Sequence, residues 1–166
     1  YIERHLEKIQ GAIEPFDSAH EVNILIEVAT TRASDMEHDA TGTPKLQAIL
    51  ETALMDMIGA GSAQDAVIAQ NEAQRRVMWE RRECAAEITV GIPGSIDTDV
   101  AVPLDDVPTF LRQVSARGQK IDPAGQEFYI SHLGDGNLHY TFYPSDTSGV
   151  FKEPITEAIE DVVLAL

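Results

Sequence analysis

Hydrophobic positions recur along the chain with two periods, and the switches between them outline its elements. Over 1–14, Ile2, Leu6, Ile9 and Ile13 keep helical spacing until Pro15 stops the run. Residues 22–29, Val-Asn-Ile-Leu-Ile-Glu-Val-Ala, are rich in β-branched side chains and almost unbroken in apolarity, which predicts a buried strand. After a polar loop over 30–43, Thr43-Pro44 supplies an N-cap and a proline in the first helical position. Leu46, Ile49, Leu50, Leu54, Met57 and Ile58 carry that helix to Gly59 and Gly61. Residues 65–69 read as a short strand, and Asn71 opens a long helix from Glu72 to Ile88.

Residues 96–102 alternate as a strand that ends at Pro103. Asp105 or Asp106 then caps a helix carrying Val107, Phe110, Leu111 and Val114, which Gly118 closes. Two strands follow over 127–133 and 138–143, and a last helix starts near Glu153-Pro154. The order α-β-α-β-α-β-α-β-β-α predicts an α+β fold. Its expected form is a two-layer ferredoxin-like sandwich, with a mixed or antiparallel sheet and helices packed on one face. No repeat or linker interrupts residues 1–166, which read as a single domain.

Charge narrows the partners. The 166 residues hold 12 basic and 28 acidic side chains, a net of −16, a field that repels a phosphate backbone and excludes nucleic acid. No apolar run has the roughly eighteen residues a membrane span needs, and no basic-then-apolar signal pattern opens the sequence. A lone cysteine, Cys84, excludes a disulfide framework and fits a reducing compartment, which points to the cytoplasm. The sequence begins at Tyr1, and the stripe Ile155, Ile159, Val162, Val163, Leu166 reaches the last residue without a Gly or Asn cap. The expectation is a fragment of a longer protein.

The stretch Ser131-His132-Leu133-Gly134-Asp135-Gly136-Asn137-Leu138-His139-Tyr140 carries the chief candidate chemistry. Asp135-Gly136 between alternating strands predicts a two-residue type I′ hairpin turn. That register sets His132 opposite His139 on one face, with Phe128, Ile130, Thr141 and Tyr143. Tyr129, Ser131, Leu133, Leu138, Tyr140 and Phe142 take the other face and pack on helices. Two imidazoles so held suit a shared metal ion, or are an ordinary cross-strand pair; spacing alone leaves both open. Asp135 and Asn137 serve as supporting partners of that pair or simply as turn formers. The segment lacks the third glycine of a dinucleotide fingerprint, and Tyr140 stands where an EF-hand needs glycine.

Arg75, Arg76, Arg81 and Arg82 form a basic island on one predicted helix. Glu72 and Glu80 each stand four residues from Arg76 as helix-surface partners, whereas Arg82 has Met78 and Ala86 at those positions. A guanidinium suits bidentate capture of a carboxylate. Met78, Trp79 and Cys84 read as core, and Ser34 with Glu37 as a capping box beside the loop residue His38.

Three blocks in order now carry a resemblance: Val77-Met78-Trp79-Glu80-Arg81-Arg82-Glu83, Asp99-Val100-Ala101-Val102-Pro103-Leu104, and His132-Leu133-Gly134-Asp135-Gly136-Asn137-Leu138-His139. They resemble the C-terminal domain of FAD-linked oxidases, the family of D-lactate dehydrogenases, the glycolate oxidase flavin subunit and D-2-hydroxyglutarate dehydrogenases. The resemblance implies the cap and substrate domain of an enzyme that oxidises a 2-hydroxy acid by hydride transfer to FAD, itself bound by a separate N-terminal domain. It implies that His132 and His139 are ligands of a divalent metal, zinc in many members, and that Arg82 contacts the substrate carboxylate. Thr141, on the face of His139, is a second substrate-lining candidate. The family's further glutamate ligand and catalytic histidine, in a Glu-His-Gly block, do not occur after His139, so no catalytic residue is assigned and this polypeptide alone is expected to be inactive.

Family members that take 2-hydroxyglutarate have a lysine near Asp97 and a hydroxyl residue near Ala86. Asp97 repels a second carboxylate, which favours a monocarboxylate such as D-lactate or glycolate. The remaining partners implied are the FAD-binding domain, an electron-accepting subunit or second copy, and peripheral membrane contact. Two other readings stay open: a stand-alone ferredoxin-like module binding metal or a small anion for regulation, and an oligomerisation domain using the apolar helix at 155–166.

Overall fold

The computed structural model describes residues 6–40, 42–89, 92–132 and 134–166. Its contacts divide into two units, one ending at Cys84 and the other running Ala85–Leu166. Ile2, Leu133 and the side chain of Ala86, which entered the readings above, lie outside the described residues.

In the second unit, alternation builds the sheet. Strands β1 (Ile96–Ala101), β2 (Gln126–His132) and β3 (Asn137–Tyr143) pair in the order β1-β3-β2, antiparallel throughout. Leu138, Tyr140 and Phe142 of β3 share one face with Ile96 of β1, and all four are buried. Helices α4 (Val107–Ile121) and α5 (Lys152–Ala165) close that face with Val107, Phe110, Val114, Ile155, Ile159 and Val162. Each fully buried side chain of this kind contributes about 1.5–3 kcal/mol. The result is the expected α+β sandwich, two layers with α4 and α5 on one side of the sheet.

Gly118 does not close α4; the helix continues through it to Ile121. Its role is space, because a Cβ there would meet Phe142 Cε2 at 2.8 Å. Polar pins lock the layers where they meet. Ser115 Oγ and Tyr140 Oη donate to the two oxygens of Glu127, at 2.6 and 2.9 Å. Burial, then the charge of Glu127, pushes the Tyr140 phenol well above its ordinary pKa, so it stays a donor. Arg117 on α4 pairs with Asp161 on α5 at 3.0 Å.

The first unit departs further from its pattern. Among the described residues of the opening segment, 6–8 are helical, and a turn follows with Gly11 at φ 82°. Helix α1 (Lys45–Gly59) forms as expected, and two residues past its end Gly61, at a φ of 73°, turns the chain away. Its N-cap is Pro44 rather than Thr43. Asn71 caps α2 (Glu72–Glu83) by accepting from Gln74 N at 3.0 Å. The predicted long helix is interrupted at Cys84, and α3 (Ala85–Thr89) follows. The capping box does not form: Ala33–Met36 is a single 3-10 turn, and Glu37 pairs with Lys45 at 2.6 Å.

Residues 22–29 and 65–69 adopt no regular secondary structure and belong to no ladder, and Val22, Ile24, Ile26 and Val67 are exposed. The buried-strand reading of 22–29 and the short-strand reading of 65–69 fail on a physical ground. A strand is stabilised only by a neighbour's backbone, and these residues have none among those described. No helix of the described residues is long and apolar enough to cross a membrane.

Asp122, just past α4 and only 2% exposed, accepts from Ser145 N and Ser145 Oγ, both at 2.7 Å, and from Ala124 N at 3.2 Å. Burial raises its pKa, but the hydrogen bonds from Ser145 and Ala124 outweigh it, so the carboxyl is held below its usual value. A folded pKa below the unfolded one stabilises above the ordinary carboxylate pKa and is lost as pH falls through the folded value. Thermal melts across the range below about pH 4 should therefore show Asp122→Asn less acid-sensitive than the parent, and less stable at neutral pH. Parallel melting curves at every pH would show that Asp122 is not coupled to folding.

Candidate functional site

The face of β3 turned away from α4 and α5 carries Asn137, His139, Thr141 and Tyr143. β2 adds Phe128, Ile130 and His132 to it, and β1 adds Asp97 and Asp99. Both histidines are exposed, whereas Phe128, Thr141 and Tyr143 on the same face are buried. The polar end is thus open and the aromatic end covered.

The register differs from the one expected. His132 lies opposite Asn137, and His139 lies opposite Ile130. The connection is four residues, 133–136, rather than a two-residue type I′ turn. Such a turn would need Asp135 at positive φ, and among the described residues of this loop only Gly136 has it, at 73°. Asp135 instead uses its carboxylate to accept from Asn137 N at 3.0 Å, while the amides of Asp135 and Gly136 donate to His132 O. Because the slip is two residues, every side chain of β2 and β3 keeps its predicted face.

The two imidazoles therefore meet diagonally, with ring centres 5.8 Å apart and planes at 72°. Ring nitrogens about 2.0–2.1 Å from a tetrahedral ion would put the ring centres about 5 Å apart. The observed ring-centre spacing is within about an ångström of that value. Among the described residues no three His, Cys, Asp or Glu side chains are grouped to hold an ion.

Asp99, and the placing of Asp97 beside Thr141, are the part that reading the sequence missed. Asp99 stands directly opposite His139, and Asp97 opposite Thr141. Asn137 Nδ2 donates to Asp99 Oδ1 at 2.7 Å, and Asp99 Oδ2 is 3.6 Å from His139 Nδ1. Thr141 Oγ1 and Ser95 Oγ donate to the two oxygens of Asp97, each at 2.8 Å. Thr141, a substrate-lining candidate, therefore spends its proton on Asp97. The alternation of Asp97 and Asp99 with Ile96, Thr98 and Val100 was a usable signal for a polar face. Its register against β3 was not.

Arg82 sits half-buried in the last turn of α2, in the first unit, whereas His132, His139, Asp135, Asn137 and Thr141 all belong to the second. Other side chains of α2 make contacts within the first unit. Arg75 grips the carboxylate of Glu27 through Nε at 3.2 Å and Nη2 at 3.1 Å, and reaches Glu72 at 2.8 Å. The indole N–H of Trp79 donates to the same Glu27, so Trp79 is a half-buried polar clamp rather than core. Hydrogen bonds from Arg75 first, then Trp79, hold the Glu27 carboxyl below its ordinary pKa. Arg76 pairs with Glu80 at 3.5 Å, but Glu72 chooses Arg75 over Arg76.

Residues 4–165 match the family model described as "FAD linked oxidases, C-terminal domain". A mitochondrial protein of Schizosaccharomyces pombe assigned by name as a D-lactate dehydrogenase is 30% identical over 146 residues, covering 81% of this chain and 25% of that protein. The D-2-hydroxyglutarate dehydrogenase of Xanthomonas citri pv. viticola is 27% identical over 150 residues, covering 89% of this chain and 29% of the relative. The mitochondrial D-2-hydroxyglutarate dehydrogenase of Arabidopsis thaliana is 31% identical over 134 residues, covering 81% and 22%. The match thus spans between 22% and 29% of these relatives' length.

The loop that separates the histidines rests on β1: Val102 N donates to Gly136 O at 3.2 Å, and a Cβ on Gly136 would strike Val102 O. Gly136→Ala adds that collision to a left-handed backbone, a strain of about 1–3 kcal/mol before the clash is counted. The expected result is a lowered Tm with loss of the His132–His139 ring contact, seen as changed imidazole chemical shifts. Unchanged shifts and melting would show that the loop adapts without moving the histidines.

Proposed function

The chain belongs to the C-terminal domain family of FAD-linked oxidases, and on that premise we propose that it is the substrate-presenting domain of a 2-hydroxy-acid dehydrogenase. The substrate class is a small D-2-hydroxy monocarboxylate, D-lactate or glycolate in type, oxidised to the 2-oxo acid. FAD, bound by another domain of the protein, supplies the hydride acceptor for the substrate C2–H. The observation that carries the reading is the exposed His132–His139 pair on the face away from the helices, within a chain that matches the family along nearly all its length.

His132 and His139 would hold a divalent metal, zinc by preference for two imidazoles, with the remaining positions filled from outside the described residues. Such an ion supplies Lewis-acid polarisation of a bound hydroxyl and carboxylate. Arg82 offers its guanidinium fork to the substrate carboxylate. Asn137 and Asp135 steady the histidine loop rather than touch substrate, as their mutual hydrogen bond indicates. Thr141 acts through Asp97, which it holds in place.

Asp97 supports the monocarboxylate choice. Two hydroxyl donors fix its carboxylate on the histidine face, where it opposes a second substrate carboxylate. The lone Cys84 supports a reducing, cytoplasmic setting. The partners this reading requires are the FAD-binding domain and an electron acceptor, either a subunit or a membrane-surface carrier.

Anaerobic flavin bleaching in the full-length protein tests the substrate: D-lactate or glycolate should bleach it faster than D-2-hydroxyglutarate. His132→Ala and His139→Ala should each cut turnover by about 100-fold or more while flavin stays bound, since Lewis-acid stabilisation supplies several kcal/mol. Near-normal turnover in both variants overturns the metal role. Asp97→Lys should move kcat/KM toward D-2-hydroxyglutarate by about tenfold, ~1.4 kcal/mol. Arg82→Lys should raise KM for the monocarboxylate, and an unchanged KM removes Arg82 from substrate binding.

A further inference from the structure

His139 does not stand alone on β3: its own register partner across the β1–β3 ladder is a carboxylate. Asp99 and His139 project from directly opposed positions onto the same face. Asp99 Oδ2 lies 3.6 Å from His139 Nδ1, within ion-pair reach and a few tenths of an ångström outside hydrogen-bond length. The other carboxylate oxygen is already taken, since Asn137 Nδ2 donates to Oδ1 at 2.7 Å. Asn137 comes from two residues before His139 on the same strand, so β3 supplies both the imidazole and the clamp that aims Asp99 at it. The backbone of Asn137 is tied in turn to Asp135 Oδ1 at 3.0 Å.

We propose that Asp99 is a positioning residue for His139, holding the imidazole in its Nδ1–H tautomer so that Nε2 is the nitrogen left to face a cation. The proposal rests on the metal reading of the histidine pair and deepens it. A neutral imidazole has one donor nitrogen and one acceptor, and the hydrogen bond made by one fixes the role of the other. Left in water, the ring prefers the proton on Nε2, the wrong nitrogen for an ion on the open side. An acceptor beside Nδ1 reverses that preference by holding the proton on Nδ1. Ile130, the cross-strand neighbour of His139 on its other side, offers no competing polar group. Asn137 thereby serves the histidine indirectly, by occupying the oxygen of Asp99 that does not point at it.

The test uses the full-length protein, stripped of metal and labelled with 15N-histidine, with His139 assigned by the signals lost in His139→Gln. At about pH 8.5, well above the ordinary imidazole pKa, two-bond nitrogen–proton correlations report which nitrogen carries the proton. The expected result is a protonated Nδ1 in the parent and a majority of Nε2–H in Asp99→Ala. Nε2–H in the parent, or Nδ1–H surviving in Asp99→Ala, overturns the proposal. Calorimetric titration with Zn2+ gives the second readout, with Asp99→Ala binding about 10–100-fold more weakly. Should Asp99→Ala fail to fold, Asn137→Ala removes only the clamp and is expected to raise the Nε2–H fraction and weaken Zn2+ in the same direction. Zn2+ binding that is indifferent to His132→Ala and His139→Ala removes the metal reading while leaving the tautomer result to stand or fall by NMR. Zn2+ binding lost in the histidine variants but unchanged in Asp99→Ala keeps the metal reading and removes Asp99.

Discussion

β3 is the constraint on which the second unit depends. It is hydrogen-bonded on both sides, to β1 and to β2, and its alternate side chains have incompatible duties. Leu138, Tyr140 and Phe142 must be buried against α4 and α5, which obliges Asn137, His139 and Thr141 to turn the other way. Packing energy therefore aims the histidine. The same side-chain period fixes Asp97 and Asp99 on β1 and His132 on β2, so one buried face organises the whole polar face.

The electrostatics of that face are settled locally in a chain of net charge −16. Among the described residues, neither Asp97 nor Asp99 is paired with Lys or Arg. Hydroxyls of Ser95 and Thr141 serve the first, and the amide of Asn137 serves the second. Neutral donors hold a carboxylate in place without cancelling its charge, so this face keeps a local negative field. In the first unit the opposite choice is made: Glu27 is gripped by Arg75 and Trp79, and its charge is spent within the unit.

Local pattern recognised helices well and strands unevenly. Lys45–Gly59, Val107–Ile121 and Lys152–Ala165 lie close to where periodicity and caps put them, because a helix satisfies its hydrogen bonds within one segment. Residues 22–29 had the composition of a buried strand and are exposed and unladdered, because a strand needs a neighbour that its own residues do not specify. Gly118 was legible as a stop signal but is a contact point for Phe142, a role that only the partner element reveals.

The candidate site divides in the same way. Sequence alone determined that His132 and His139 share a face, and that Thr141 joins them, because side-chain parity along a strand is local and survives a two-residue slip. Tertiary structure decided that His132 opposes Asn137 rather than His139, through a four-residue loop whose left-handed position falls on Gly136. It also decided that Asp97 and Asp99 stand beside Thr141 and His139, separated from them by about forty positions of chain. Which residues meet across a ladder depends on loop geometry and on the burial of the opposite face, and neither is written in the spacing of the residues that meet.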